Sequence, residues 1–281
     1  MRKLIPGADD APALGLVQVA PRIRVLALRT PTLPPAAHTN VYLVGPSQGP
    51  VAVVDPGSPY PDQQAILDTI LAELPISRVL LTHHHGDHVG GAAALAAHRG
   101  VPIAAHPATA RRLDDIIEVT ELIEDGDEID GTIAVHTPGH AEGHLCFEID
   151  DASIAGDMVA GVGTILIDPS EGDMALYLAS LERMRARTPT TLLPAHGPPI
   201  RDGHAKLTEY LAHRRMREQR VLDALVAAGA GATTDVLLSV VYADTPRMLW
   251  PLAERSLLAH LAKLVHEDHA RYDAAGGRWS R

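Results

Sequence analysis

The sequence predicts a mixed α/β layered fold followed by a C-terminal helical segment ending in a small wing. Three observations carry that prediction. Strand-like and helix-like runs alternate as far as residue 202, with hairpins among them, which favours mixed sheets over a purely parallel one. Residues that can hold metal or move protons stand where strands run into loops. From residue 203 the composition shifts, and helix, helix, helix, hairpin follows, the order of a winged-helix module.

Residues 1–20 are rich in Pro, Ala and Gly without a clear period, a loose arm or an irregular first strand. Arg22 to Thr30 alternates Ile23, Val25 and Ala27 and reads as a strand, and Pro31 to Pro35 is a loop. Thr39 to Gly45 and Val51 to Asp55 form a hairpin around Gly45–Pro50. Asp62 to Leu74 carries Ile66, Leu67, Ile70, Leu71 and Leu74 at helical spacing and stops at Pro75. Arg78 to Thr82 is a short buried strand. Val89 to His98 is an Ala-rich helix whose Gly90 and Gly91 let its first turn approach a sheet.

Val101 to Ala105 reads as a strand, Pro107 to Leu113 as a helix, and Ile129 to His136 as a strand with a turn at Asp130-Gly131. Pro138-Gly139 makes Thr137 to His144 a loop. Leu145 to Ile149 and Ser153 to Ala155 form a hairpin that ends at Gly156-Asp157. Met174 to Arg187 is helical, and Thr191 to Pro194 is a strand running into Ala195-His196-Gly197. Beyond it lie one long helix, His204 to Ala228, and a short one, Thr233 to Val241, capped by Thr233 or Thr234. Arg247 to His266 is the third helix. Arg271-Tyr272-Asp273 and Arg278-Trp279 flank Ala-Ala-Gly-Gly as the wing.

The 281 residues suit one large domain with a small appendix, and 46% apolar content is that of a globular protein. No apolar run approaches the roughly 20 residues that span a bilayer. Pro6, Asp9 and Asp10 break any signal-peptide core after the basic start, so a cytoplasmic location is expected. The single Cys146 excludes an internal disulfide and reads as a small core residue. Net charge is −11, unfavourable for gripping nucleic acid through phosphates. One window runs the other way: Arg183 to Arg220 holds nine Lys/Arg against Asp202, Glu209 and Glu218.

The chemistry concentrates in His83-His84-His85-Gly86-Asp87-His88. Imidazoles packed this closely have no use in a core, where each ring nitrogen needs a partner. They do suit a divalent cation, which takes neutral imidazole and carboxylate. His140, Asp157 and His196 also stand at strand ends, and five His with two Asp can hold two metals with one shared carboxylate.

On these motifs residues 22–202 resemble the metallo-β-lactamase-fold superfamily of metallo-hydrolases. The resemblance implies a four-layer αββα sandwich over residues 1–202, with residues 203–281 as long helix plus winged helix. It gives His83, His85 and His140 to a first metal, Asp87, His88 and His196 to a second, and Asp157 to the bridge. Two Zn²⁺ are expected, with Fe or Mn as other occupants of such a donor set. A water held between two dications has its pKa lowered to about 7, so hydroxide is present at neutral pH, and Asp87 is the candidate proton acceptor. His84 is expected to point away from the metals. His144 is a candidate for touching substrate or a ligand, and Asp55 for orienting the histidine loop or making a turn before Pro56. The remaining histidines, among them His38, His106, His213 and His260, lack metal spacing and read as surface or core.

Leu193-Pro194-Ala195-His196-Gly197-Pro198, His213-Arg214-Arg215 and Tyr242-Ala243-Asp244 extend the resemblance to the β-lactamase-like protein 2 branch, whose members carry a winged helix after the hydrolase domain. That branch implies a thioester or ester substrate, small or carrier-bound. Its animal members imply single-stranded RNA instead. Asp223 to Arg281, with six basic and seven acidic residues, favours the first. A DNA-binding regulator is the third reading, and the acidic tail opposes it. No glutathione-binding segment of the glyoxalase II kind is recognisable. An oligomer is compatible with the sequence, which fixes no state.

Overall fold

A computed structural model describes residues 15–281. The expectation for residues 1–14 lies outside the described residues.

The chain builds two facing sheets. The first runs β1 (Val17–Ala20), β2 (Ile23–Arg29), β3 (His38–Val44), β4 (Val51–Val54), β5 (Ile76–Leu80), β6 (Ile103–Ala105), β7 (Glu121–Leu122), in that spatial order. β1 to β4 are antiparallel neighbours, and β4 to β7 pair in parallel. The second sheet has β8 (Glu128–Ile129), β9 (Thr132–His136), β10 (Leu145–Ile149), β11 (Ala152–Gly156) and β12 (Thr191–Pro194), ordered β12-β11-β10-β9-β8. Only β11 and β12 are parallel there.

Three apolar cores make this a four-layer sandwich. Alternate residues of the central strands point to opposite faces, and both faces are buried. Tyr42, Val44, Ala52, Val54 and Leu80 meet Leu145, Phe147, Ile154 and Leu193 between the sheets. Val41, Leu43, Val51, Val53 and Val79 pack outward on Leu67 and Leu71 of α1 (Pro61–Leu71) and Leu95 of α3 (Ala92–Arg99). The second sheet packs outward on Tyr177 and Leu181 of α5 (Met174–Ala186) and Leu207 and Leu211 of α6 (Gly203–Ala228). Two short helices, α2 (Gly86–Val89) and α4 (Pro107–Leu113), complete the first half.

The C-terminal part has its own core, with Val221 and Leu225 of α6, Leu237 and Val241 of α7 (Thr234–Val241), and Leu257, Leu261 and Leu264 of α8 (Trp250–His266). β13 (Arg271–Asp273) and β14 (Arg278–Ser280) form the wing. The wing is tied back by Ala232 and Trp279, which exchange backbone bonds of 2.8 Å.

Several boundaries differ from expectation, each for a local reason. α1 ends at Leu71 and not Leu74, because the residue before a proline resists helical backbone and the chain tightens into 3₁₀-type bonds at Ala72 and Leu74. The expected helix from Val89 is two pieces broken at Gly90-Gly91. Those glycines seat against the Pro56–Pro59 loop rather than a sheet, and a Cβ on Gly91 would lie 2.6 Å from the Pro56 carbonyl. α8 starts at Trp250, after a 3₁₀ turn over Arg247–Leu249, because Pro251 suits only a first turn. β1 is the irregular alternative for the N-terminal stretch, with a register shift between Gln18 and Ala20. The two-residue β7 and β8 carry too little pattern to be read.

Candidate metal centre

Four strand ends of the two sheets deliver the site. β5 runs into His83, His85, Asp87 and His88; the β9–β10 loop carries His140; Asp157 directly follows β11; His196 stands two residues past β12. All seven side chains converge in one place.

The first cluster is a triangle of ring nitrogens. His83 Nε2 lies 2.9 Å from His85 Nδ1, His140 Nε2 lies 3.0 Å from His85 Nδ1, and the third edge is 3.3 Å. Each ring's other nitrogen faces an acceptor, which fixes the tautomer. His140 Nδ1 donates to the Leu166 carbonyl at 2.9 Å, and His85 Nε2 donates to Glu171 at 2.8 Å. His83 Nδ1 donates to Thr82 Oγ1 at 3.0 Å, because that hydroxyl spends its own proton on Asp55. Three lone pairs therefore point at one another, a repulsive arrangement unless a cation sits among them.

The second cluster repeats the logic with carboxylates. His88 Nδ1 donates to Asp55 at 2.8 Å and His196 Nδ1 to the His38 carbonyl at 3.0 Å. Their Nε2 atoms face inward. His88 Nε2 is 3.6 Å from Asp157 Oδ1 and 3.9 Å from Asp87, while His196 Nε2 is 3.4 Å and 3.5 Å from the same two groups. Asp157 Oδ2 reaches the first cluster, 3.5 Å from His140 Nε2. His88 Nε2 and Asp157 Oδ1 are buried without any hydrogen-bond partner among the described residues. Orphaned buried polar atoms are rare and costly, and here they aim at one point. The donor set of imidazoles and carboxylates fits divalent cations, and Asp157 faces both clusters.

The electrostatics separate the clusters. Burial and the surrounding rings hold His83 well below the ordinary imidazole value, and His140 falls to about 4. Burial opposes charge on His88 and His196 too, but nearby carboxylates, Asp157 foremost, outweigh it and raise both. Asp157 is held well below the carboxylate range despite its burial, by His196 and His88. Protons on those imidazoles stand where a cation's charge is wanted.

Asp55 is aimed at the histidine loop rather than at a turn of its own. Its carboxylate accepts from Thr82 N at 2.8 Å and Thr82 Oγ1 at 2.6 Å as well as from His88. It does so from a left-handed backbone (φ 50°), an uncommon conformation for a non-glycine residue. His144 is fully buried and does not line the cavity. Its Nδ1 donates to Thr137 Oγ1 at 2.8 Å, and its Nε2 accepts from Asp157 N at 3.1 Å, so it fixes the backbone of Asp157. Gly156 must be glycine for this, since its Cβ would lie 2.5 Å from His144 Nε2 and its φ is +47°. His84 turns from the triangle and bonds Glu171 at 3.1 Å. Glu171 and the His38 carbonyl were not legible in sequence, because nothing local links them to histidines so far along the chain. Cys146 is buried and free, its thiol pushed up to about 12 by burial.

The centre opens into a cavity of about 600 Å³. His85, Asp87, His140, Asp157 and His196 line it, together with the apolar Leu33, Pro35, Val162, Ile165, Leu249 and Leu252 and the charged Arg214 and Arg217. Leu249 and Leu252 come from the C-terminal segment, as does His213, read from sequence as a surface or core residue without metal spacing.

Comparison with known proteins agrees with this geometry. Residues 34–196 match the Metallo-beta-lactamase superfamily, and residues 233–279 match the Beta-lactamase associated winged helix domain. The chain is 34% identical over 276 residues to a lactamase-like protein of Penicillium aethiopicum, covering 86% of this chain and 85% of that one. An atrochrysone carboxyl ACP thioesterase of Cryptosporiopsis sp. is 31% identical over 264 residues, covering 83% and 76%. The Beta-lactamase-like protein 2 homolog of Drosophila melanogaster is 28% identical over 268 residues, covering 89% of each. A beta-lactamase domain protein from Burkholderia ambifaria shares the fold, with a TM-score of 0.82 at 23% identity over 98% of this chain and 96% of that one. With the ligand-like cluster, the four layers and the appended winged helix in agreement, the chain belongs to the metallo-beta-lactamase superfamily.

Proposed function

We propose that this chain is a binuclear metallo-hydrolase acting on a thioester whose acyl group is largely apolar and whose leaving thiol belongs to a carrier. The observation that carries the reading is the cavity, whose lining joins five of the ligand candidates to aliphatic side chains such as Leu33, Val162, Ile165, Leu249 and Leu252. His83, His85 and His140 would hold one cation, Asp87, His88 and His196 the other, and Asp157 would reach both. Bound there, divalent cations, zinc first among them, would polarise an acyl carbonyl and make a water nucleophilic at neutral pH. Asp55, Glu171 and the Leu166 and His38 carbonyls keep the imidazoles in the ligand tautomer. Asp87 lines the cavity, where it can take the proton of the attacking water. A relative's name as an ACP thioesterase supports the substrate class.

The RNA reading loses its main support in space. Each of the nine basic residues from Arg183 to Arg220 already has a partner. Asp125 takes Arg183, Glu182 takes Arg185 and Arg215, Glu148 takes Arg187, Glu209 takes Lys206, and Asp244 takes Arg217 and Arg220. Arg201 and Arg214 bond the backbone carbonyls of Val19 and Ile165.

The test is a panel of acyl-thioesters, lactones, a β-lactam and a fluorescent single-stranded RNA, with metal content measured on the same sample. Thioester hydrolysis is expected, abolished by chelation and by Asp157→Ala. Asp87→Asn should retain metal and lose about 10²-fold or more in kcat. RNA cleavage without thioester hydrolysis would overturn the reading.

A further inference from the structure

The segment between β11 and α5 touches the candidate centre on one side and the C-terminal module on the other. On the first side it offers two acceptors. The Leu166 carbonyl takes the proton of His140 Nδ1 at 2.9 Å, and Glu171 takes those of His85 Nε2 at 2.8 Å and His84 Nε2 at 3.1 Å. Two of the three inward nitrogens of the first cluster are thus aimed by one loop. The loop is curled on itself: Gly172 N and Glu171 N both bond the Asp168 carbonyl, at 2.6 and 3.2 Å. It is also pressed on the His140 turn. Asp173 N donates to the Gly139 carbonyl at 2.8 Å, and a Cβ on Gly172 would lie 2.7 Å from that same oxygen.

On the other side, two arginines of the C-terminal part grip the loop. Arg255 of α8 makes a two-pronged pair with Asp168, Nε to Oδ2 at 2.7 Å and Nη2 to Oδ1 at 2.5 Å. Arg214 of α6 is buried over the Tyr177 ring and donates to the Ile165 carbonyl. A fork-to-fork pair fixes direction as well as distance, which a single lysine contact would not.

We propose that Glu171 is a positioning residue for the first cation site, and that the Arg255–Asp168 clamp lets the winged-helix module set that site's affinity. This rests on the metal reading of the centre but not on the substrate. The loop holds His85 and His140 in the tautomer and orientation a cation needs, and the clamp holds the loop.

The experiment titrates Co²⁺ into the full chain against a chromophoric chelator, reading both affinity and the visible spectrum. Glu171→Ala should weaken one of two sites by about 10–100-fold and alter its spectrum. Glu171→Gln, which keeps one acceptor oxygen, should fall between it and the parent. Arg255→Ala should weaken the same site by a smaller factor, and Arg255→Lys should recover part of the loss. Arg220→Ala, which breaks an ion pair away from the loop, should leave both sites alone. Far-UV circular dichroism on each variant separates misfolding from loss of a site, with Asp168→Asn as a second variant at the clamp. A parent chain with two sites and Glu171 and Arg255 variants that bind as tightly would overturn this inference alone. A parent chain that binds no cation would overturn it together with the metal reading.

Discussion

At the scale of residues, the centre is a set of histidines whose outer nitrogens are all committed. Asp55 shows what that commitment requires: it is 2% exposed and carries three donors. Asp55→Ala would strand buried donors on Thr82 and His88, at a cost on the order of 3 kcal/mol. A lowered denaturant midpoint with an unchanged slope would show it, and metal at the second site should weaken in parallel. The same side chains, together with His106 stacked on His136 outside the centre, set the pH response of the metal-free protein. His140 and His106 both sit at about 4, below the ordinary 6.5, so the folded chain binds fewer protons and stability falls as pH drops from 6.5 toward 4. Glu171, held to about 2 chiefly by its hydrogen bond from His85, extends the loss below 4.5. His88 and His196 are raised, so their contribution is complete below 6.5 and lost as pH rises through their folded values. Denaturant midpoints across pH 4 to 9 should therefore peak near pH 6.5 for chelated protein. Zinc should remove the alkaline decline, because a cation replaces those protons.

At the scale of elements, the helices of the C-terminal part do two jobs that their sequence periodicity does not distinguish. One face of α8 packs Leu257, Leu261 and Leu264 into its own core, and Ala259 reaches the core beneath α5. Leu252 and Ala253, near its start, line the cavity. The helix that a DNA reader would leave free is thus engaged with the hydrolase half. Leu252→Trp should fill part of the cavity and shift selectivity toward short acyl chains, measured as the ratio of kcat/KM for short over long thioesters. No change in that ratio would mean that the acyl group lies elsewhere. Gly90-Gly91 acts at the same scale, breaking one expected helix in two so that α2 can seat its histidine and aspartate over the Pro56–Pro59 loop.

At the scale of the whole molecule, charge that looks clustered along the chain is dispersed in the fold. The basic stretch from Arg183 to Arg220 meets acids from Asp125, Glu148 and Asp244, none of them inside it. A gel-shift with mixed single-stranded RNA or duplex DNA should show no retardation at 150 mM salt, roughly physiological ionic strength. A steep salt dependence with several released counterions would contradict that. The mixed α/β class and the helix–helix–helix–hairpin order were legible in sequence, because periodicity and turn residues are local properties, whereas the convergence of the strand ends was implied by the family resemblance. His83, His85, Asp87 and His88 announce themselves within six residues, and His140, Asp157 and His196 by their place after a strand. What only the tertiary structure decided is who holds those side chains in place. His144 bonding the Asp157 backbone, Glu171 facing His85 and Arg255 facing Asp168 join residues 13, 86 and 87 positions apart. Such pairings leave no local pattern, because a second partner's identity is set by which loops the two sheets bring together.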